Sequence, residues 1–354
     1  MSGRSTDRQS AAIPSGAAMR AIRLHTFGPA DNLRYEEAPD PVPGEGEVRI
    51  RVAAAGVHLV DTALREGLAL GPTPVPVDLP TIPGREVAGT VDAVGPGVER
   101  TWLGRRVVAH LGMVPGGYAE LAVTGVERLH VLPDAVSEDH ALAMVGTGRT
   151  AMGVLQFAEP GPADTVVVLA AAGGIGNLLV QYARSAGARV VGVAGGAEKA
   201  AAVRGLGADL AVDYTDPGWA ERIVDEFGAR PATCLWEGVG GRAARTAIGL
   251  LAEGGTHLSY GYAAAGFDPD GQAVLPPEEA ARLGVVSRSV LGAPMFERIG
   301  GMENIRVLEE RALGLVAAGT VTPLVRRFPL AEAARAHRAL ESRGTLGKVV
   351  LVPA

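Results

Sequence analysis

Hydrophobic and polar positions change period several times along this chain. Residues 19–24 start a strand, and Glu47-Val48-Arg49-Ile50-Arg51-Val52 alternates charged and apolar residues as a half-buried strand does. Residues 57–68 shift to a helical spacing with Asp61 and Thr62 at the polar start. The prolines of residues 71–83 exclude a helix or a central strand and predict a covering loop. Alternation returns at 87–94, 105–110 and 117–123 with glycine turns between, which makes the first part of the chain a small β-rich domain. Helices are expected from residue 137 to 153 and beyond.

The pattern then changes kind. Asp164-Thr165-Val166-Val167-Val168 is a continuous β-branched run, as in a strand buried on both faces, and Leu178, Leu179, Gln181, Tyr182 and Ser185 follow at helical spacing until Gly187. Between them lies Ala171-Ala172-Gly173-Gly174-Ile175-Gly176, an A-x-G-x-x-G turn, and a second apolar run occupies 189–193. In a strand-turn-helix-strand unit these glycines let the backbone approach a pyrophosphate and the helix pack closely on the strand, which is the dinucleotide-binding arrangement. Further strands are predicted at 210–214, 233–236, 256–260 and 285–291, giving six with the two around the turn. The fold class is therefore α/β, a doubly wound Rossmann sheet beside a β-rich domain. Residues 297–318 read as helix, and 321–354 as strand, helix and closing strand that return to the first domain. The expected division is a disordered leader at 1–18, a catalytic domain at 19–147, a cofactor domain at 148–293 and a return to the catalytic domain at 294–354.

Composition narrows the class. The chain has 354 residues, 47% of them hydrophobic, and a formal charge of -6 with both signs mixed along its length, which gives no basic face for nucleic acid. No apolar run approaches a membrane span. The single cysteine, Cys234, excludes an intrachain disulfide and suits a reducing compartment, so a cytoplasmic location is expected. Lys199 and Lys348 are its only lysines.

Several stretches together resemble the medium-chain dehydrogenase/reductase superfamily, and within it the zinc-independent quinone oxidoreductases that include zeta-crystallin. They are Ala54-Ala55-Gly56-Val57 with Asp61-Thr62, Ile82-Pro83-Gly84-Arg85-Glu86-Val87-Ala88-Gly89-Thr90-Val91, Gly116-Gly117-Tyr118-Ala119-Glu120, the turn 171–176, and Gly347-Lys348-Val349-Val350. The resemblance implies a GroES-like β domain, a six-stranded Rossmann domain, a cleft between them, NADPH as hydride source, and a homodimer joined through the sixth strands at 285–291. Zinc-dependent members carry Cys at the position of His58 and His at that of Arg85. A guanidinium cannot ligate zinc, and His58 and Glu86 alone do not make a catalytic site, so no metal is expected.

For the cofactor, Ala172, Gly173, Gly174, Ile175 and Gly176 form the pyrophosphate turn. The second strand ends in Ala194-Gly195-Gly196, where NAD-preferring folds place a carboxylate, so NADPH is expected over NADH. By resemblance, Lys199 and Tyr214 meet the 2'-phosphate, Thr150 lies beside the nicotinamide, and Gly195, Gly261 and Lys348 complete the set. For chemistry, His58 and His110 are candidate proton donors, with solvent as the alternative, and Asp61 caps a helix at the cleft's border. The expected reaction is hydride transfer to a quinone or enone. An enoyl-thioester reductase and a non-catalytic, crystallin-like NADPH-binding protein remain as rivals. The pocket-forming loops are expected at 71–80 and 262–277.

Overall fold

The structure is a computed structural model that describes residues 18–68, 77–112, 115–261 and 273–354. Most of the expected leader, and the parts of the two pocket loops at 71–76 and 262–272, lie outside these residues.

Among the described residues, fifteen strands form three sheets. β1 (Ala18–Leu24) and β2 (Leu33–Pro39) make an antiparallel pair. The next five are β3 (Glu47–Val57), β4 (Glu86–Val94), β5 (Arg106–His110), β6 (Leu121–Gly125) and β7 (Leu129–Val131). They join the last two, β14 (Val325–Pro329) and β15 (Lys348–Val352), in a sheet ordered β14-β15-β3-β4-β5-β7, with β6 also on β3. The third sheet holds β8 (Thr165–Leu169), β9 (Arg189–Ala194), β10 (Leu210–Asp213), β11 (Ala232–Glu237), β12 (Leu251–Ser259) and β13 (Val286–Ser289). Its order is β10-β9-β8-β11-β12-β13 and every pairing is parallel, so the doubly wound six-stranded sheet is as expected.

The β-branched run predicted to be buried on both faces is so: all five residues of β8 are buried. Leu178, Leu179 and Trp236 pack on one side of that sheet, and Val167, Ile223 and Leu235 on the other. Leu308, Ala312 and Val321, after the sheet, join the first of these cores.

The structure corrects some boundaries. β3 runs on to Val57, so the first helix is Leu59–Glu66. Its backbone keeps strand geometry there because β15 pairs with Ala55, Gly56 and Val57. Residues 117–120 carry only an isolated bridge at Ala119 before β6 begins. The stretch 297–318 is not one helix: Gly300 and Gly301 adopt positive φ (79° and 128°) and separate a short helix, Ala293–Glu297, from Arg306–Ala317. β2 and β7 have no clear alternation in the sequence and were not anticipated. Among the described residues no helix is long and apolar enough to cross a membrane.

Strand order reverses at β8 and β11, and the crevice beyond the carboxyl ends of these strands is where ligands bind in such sheets. Here that crevice faces the sheet containing β3, β4, β5 and β15.

Candidate active site

A cleft of about 1770 Å³ is lined from both sheets, by His58, Arg85, His110 and Lys348 on one side and Gly173, Gly174, Ile175, Gly176 and Gly261 on the other. Thr150 and Arg149 also line it.

The glycine turn leads from β8 into the helix Gly174–Ser185. A Cβ on Gly176 would strike the Ala170 carbonyl oxygen, so strand and helix pack at a distance only glycine allows. The amides of Gly174, Ile175 and Gly176 are first-turn donors, and the helix dipole adds partial positive charge. Asn177 Nδ2 donates to the carbonyls of Gly173 and Gly174, both at 2.7 Å, and its Oδ1 accepts from Leu324 N–H at 3.0 Å. The turn is thus braced from the far end of the chain. Ala172 is buried beneath the cleft wall, and its carbonyl accepts from Gly347 N–H at 2.8 Å.

Gly195, Lys199 and Tyr214 stand apart from the main cleft, past the ends of β9 and β10. The Tyr214 hydroxyl covers Gly195, where a Cβ would lie 2.6 Å from it. Lys199 Nζ donates to the Arg343 backbone carbonyl, and Arg343 holds a positive φ of 55°. Burial and the neighbouring Arg343 lower the Lys199 pKa. Lys199 and Arg343 are thus neighbouring cations beyond the ends of β9 and β10. Asp213, at the end of β10, accepts from Gly196 N–H at 2.7 Å and from the Thr215 N–H and hydroxyl.

On the facing wall, Glu86 is 0% exposed and sits in a gap between Gly56 and Gly146, where a Cβ on either would collide with its carboxylate. Its Oε2 lies 2.7 Å from His58 Nε2 and 2.9 Å from Lys348 Nζ, and these two nitrogens are 2.7 Å apart. Burial works to raise the Glu86 carboxyl, but the charges of His58 and Lys348 outweigh it and hold it well below the ordinary range. His58 Nε2 can donate to Glu86 or accept from Lys348, not both at once, so a proton can change place within this triangle. Lys348 lines the cleft as expected but is only 3% exposed, and its ammonium is committed to Glu86 and His58 rather than offered to a phosphate.

Asp61 does not line the cleft. It is buried behind His58, where Oδ2 accepts from His58 N–H (2.8 Å) and Tyr118 Oη (3.2 Å), with Arg85 Nε 3.7 Å from Oδ1. Its capping role is as read from the sequence.

His110 faces the cleft, and its surroundings weigh against the expected proton donor. Burial first, and the Arg149 charge second, push its pKa to about 3. A ring that stays neutral at working pH cannot supply an imidazolium proton. Arg149 was not foreseen: Nη1 donates to Glu309 Oε1 at 2.9 Å, Nη2 lies 3.0 Å from His110 Nε2, and Glu309 also holds His130 at 2.9 Å.

A zinc ion does not fit this donor set. Lys348 Nζ stands against both the His58 and Glu86 donor atoms, Arg85 cannot ligate, and among the described residues no three His, Cys, Asp or Glu side chains converge as a metal requires.

Two family models match the chain, the alcohol dehydrogenase GroES-like domain at residues 44–134 and the zinc-binding dehydrogenase at 174–303. A quinone oxidoreductase of Pseudomonas aeruginosa is 31% identical over 94% of this chain and 99% of its own length. A 2-haloacrylate reductase of a Burkholderia species is 32% identical over 94% of this chain and 98% of its own. The Escherichia coli quinone oxidoreductase, in a structure complexed with NADPH, superposes with a TM-score of 0.78 at 27% identity, covering 94% of this chain and 100% of that one. The chain belongs to the medium-chain dehydrogenase/reductase superfamily of oxidoreductases, and to its zinc-independent quinone oxidoreductase type.

Proposed function

We propose that this chain is an NADPH-dependent reductase that delivers hydride, without a metal, to the electron-poor double bond of a quinone or an α,β-unsaturated carbonyl compound. The observation that carries the reading is the placing of charge around one cleft. A backbone cradle for pyrophosphate opens on a wall where His58, Arg85, Arg149 and Lys348 face inward, and where Asp61 and Glu86 lie behind them. A relative named for quinones and another named for a haloacrylate are both consistent with such a site.

NADPH, when bound, supplies the hydride. The amides of Gly174, Ile175 and Gly176 would hold its pyrophosphate, with Lys199, Arg343 and Tyr214 at the 2'-phosphate and Thr150 and Gly261 toward the nicotinamide. Negative charge left on the substrate oxygen meets cations whose counter-carboxylates are already in position, so little reorganisation is needed as the charge develops. His58 is the side chain that can pass a proton from the triangle with Glu86 and Lys348 to the substrate.

The test is NADPH oxidation screened over quinones, enones and enoyl thioesters. Turnover with a quinone or enone is expected. Preference for crotonyl thioesters would replace the reading with an enoyl-thioester reductase, and no oxidation with any acceptor would leave a binding protein. A second copy of the chain is proposed to pair along β13, one of the two edge strands of the six-stranded sheet, where Val286 is 41% exposed. Sedimentation at micromolar concentration should give the mass of two chains.

A further inference from the structure

Arg149 and His110 meet in a way that hydride transfer to a neutral acceptor does not require. The Gly112 backbone N–H donates to His110 Nδ1 at 3.0 Å, so the neutral ring carries its proton on Nε2. Nε2 lies 3.0 Å from Arg149 Nη2, an atom that can only donate. Two donors are thus aimed at each other on the wall of the cleft.

Neither can give way. The ring does not turn without breaking the Gly112 bond. Arg149, 19% exposed, is anchored by Glu309, which is itself tied to buried His130. What satisfies both donors is one strong acceptor that lies beside the pair in the cleft, within reach of both N–H groups, and an anionic oxygen is the strongest available. Leu291, Phe296, Met302 and Ile305 line the same cleft and suit an apolar remainder.

We propose that Arg149 and His110 form a carboxylate receptor, and that the substrate is an α,β-unsaturated carboxylic acid whose carboxylate is held by Arg149 Nη2 and His110 Nε2–H. This rests on the reductase reading and narrows it. The β-carbon gains hydride from NADPH, which leaves as NADP+. The electron pair of the double bond moves to the α-carbon and spreads onto the carboxylate, where the receptor stabilises it. The α-carbon then takes one proton, from His58 or solvent, and the product is the saturated acid.

The experiment compares 2-chloroacrylate, its methyl ester and 9,10-phenanthrenequinone as acceptors for the wild type, Arg149→Gln and Arg149→Lys. Calorimetric titration of the cofactor-free proteins with acrylate runs alongside it. The wild type is expected to prefer acid over ester in kcat/KM. That preference should fall about 100-fold in Arg149→Gln, the size of a lost charge-assisted pair, with a smaller fall in Arg149→Lys. Acrylate binding should be lost in Arg149→Gln. A wild type that reduces the ester or the quinone but neither reduces nor binds the acid overturns the receptor and leaves the reductase standing. If no acceptor is reduced the reductase reading fails, and the calorimetry still decides the receptor: acrylate bound by the wild type alone supports it, and equal or absent binding overturns it.

Discussion

The two ends of the cleft are built by opposite means. At the end proposed for the cofactor the exposed surface is backbone: first-turn amides of a helix, glycines where a side chain would collide, and one bracing asparagine. At the other end it is side chains, His58, Glu86 and Lys348 in one cluster and His110, Arg149 and Glu309 in another, each member held by a charge from elsewhere in the chain. A backbone cradle tolerates neighbouring substitutions but no added bulk. A side-chain cluster tolerates bulk poorly and loss of charge worse, since a missing partner leaves a buried ion alone.

The sharpest way to break this contrast is Glu86→Gln, which leaves the Lys348 ammonium buried without its counterion. It should cost about 3–5 kcal/mol in denaturant unfolding at neutral pH. The sign with pH follows from the depressed folded-state titration of Glu86. Its stabilisation is full above the unfolded carboxyl value of about 4.3 and is lost as pH falls through the lower folded value. The gap between wild type and variant should therefore close in acid, and a gap that widens would contradict the assignment. Next comes the backbone end: Gly173→Val should weaken NADPH binding about 100-fold, near 2.7 kcal/mol, measured by fluorescence titration, with a much smaller change in unfolding midpoint. His58→Ala should slow single-turnover NADPH oxidation about 10- to 100-fold, and an unchanged rate would leave solvent as the proton source. The smallest effect belongs to the proposed 2'-phosphate site. Lys199→Ala should raise the NADPH KM about 10-fold with Arg343 still present and leave that for NADH unmoved, and equal effects on both would sink the 2'-phosphate role.

The same contrast explains what was legible beforehand. The parallel sheet was readable because burial on both faces produces a continuous run such as 165–169, and the glycine turn because its requirements lie within six consecutive residues. His58, His110 and Lys348 could be singled out by type. Glu86 was named beside His58 only as a pair too few for zinc; its link to Lys348, and the roles of Arg149 and Glu309, could not be read, because these groups come together from tens to hundreds of residues apart and no local period records that. For His110 the missing information was Arg149, 39 residues on, whose guanidinium beside the ring changes the chemistry expected of a cleft histidine. Arg343 was passed over because an exposed arginine after a helix usually interacts with water alone.

Gly347 carries a consequence for anyone recombining such enzymes. Its N–H holds the Ala172 carbonyl at 2.8 Å, and its positive φ of 66° lets the chain pass the Leu324 carbonyl where a Cβ would collide. One residue later the strand enters the sheet of the other domain and delivers Lys348 to Glu86. The phosphate turn and the chemical cluster are thus stitched by a single peptide from the last few residues of the chain. A chimaera that exchanges the segment 148–293 between parents would inherit a turn from one and its clasp from another, so grafts should take the closing strand from the same parent as the turn.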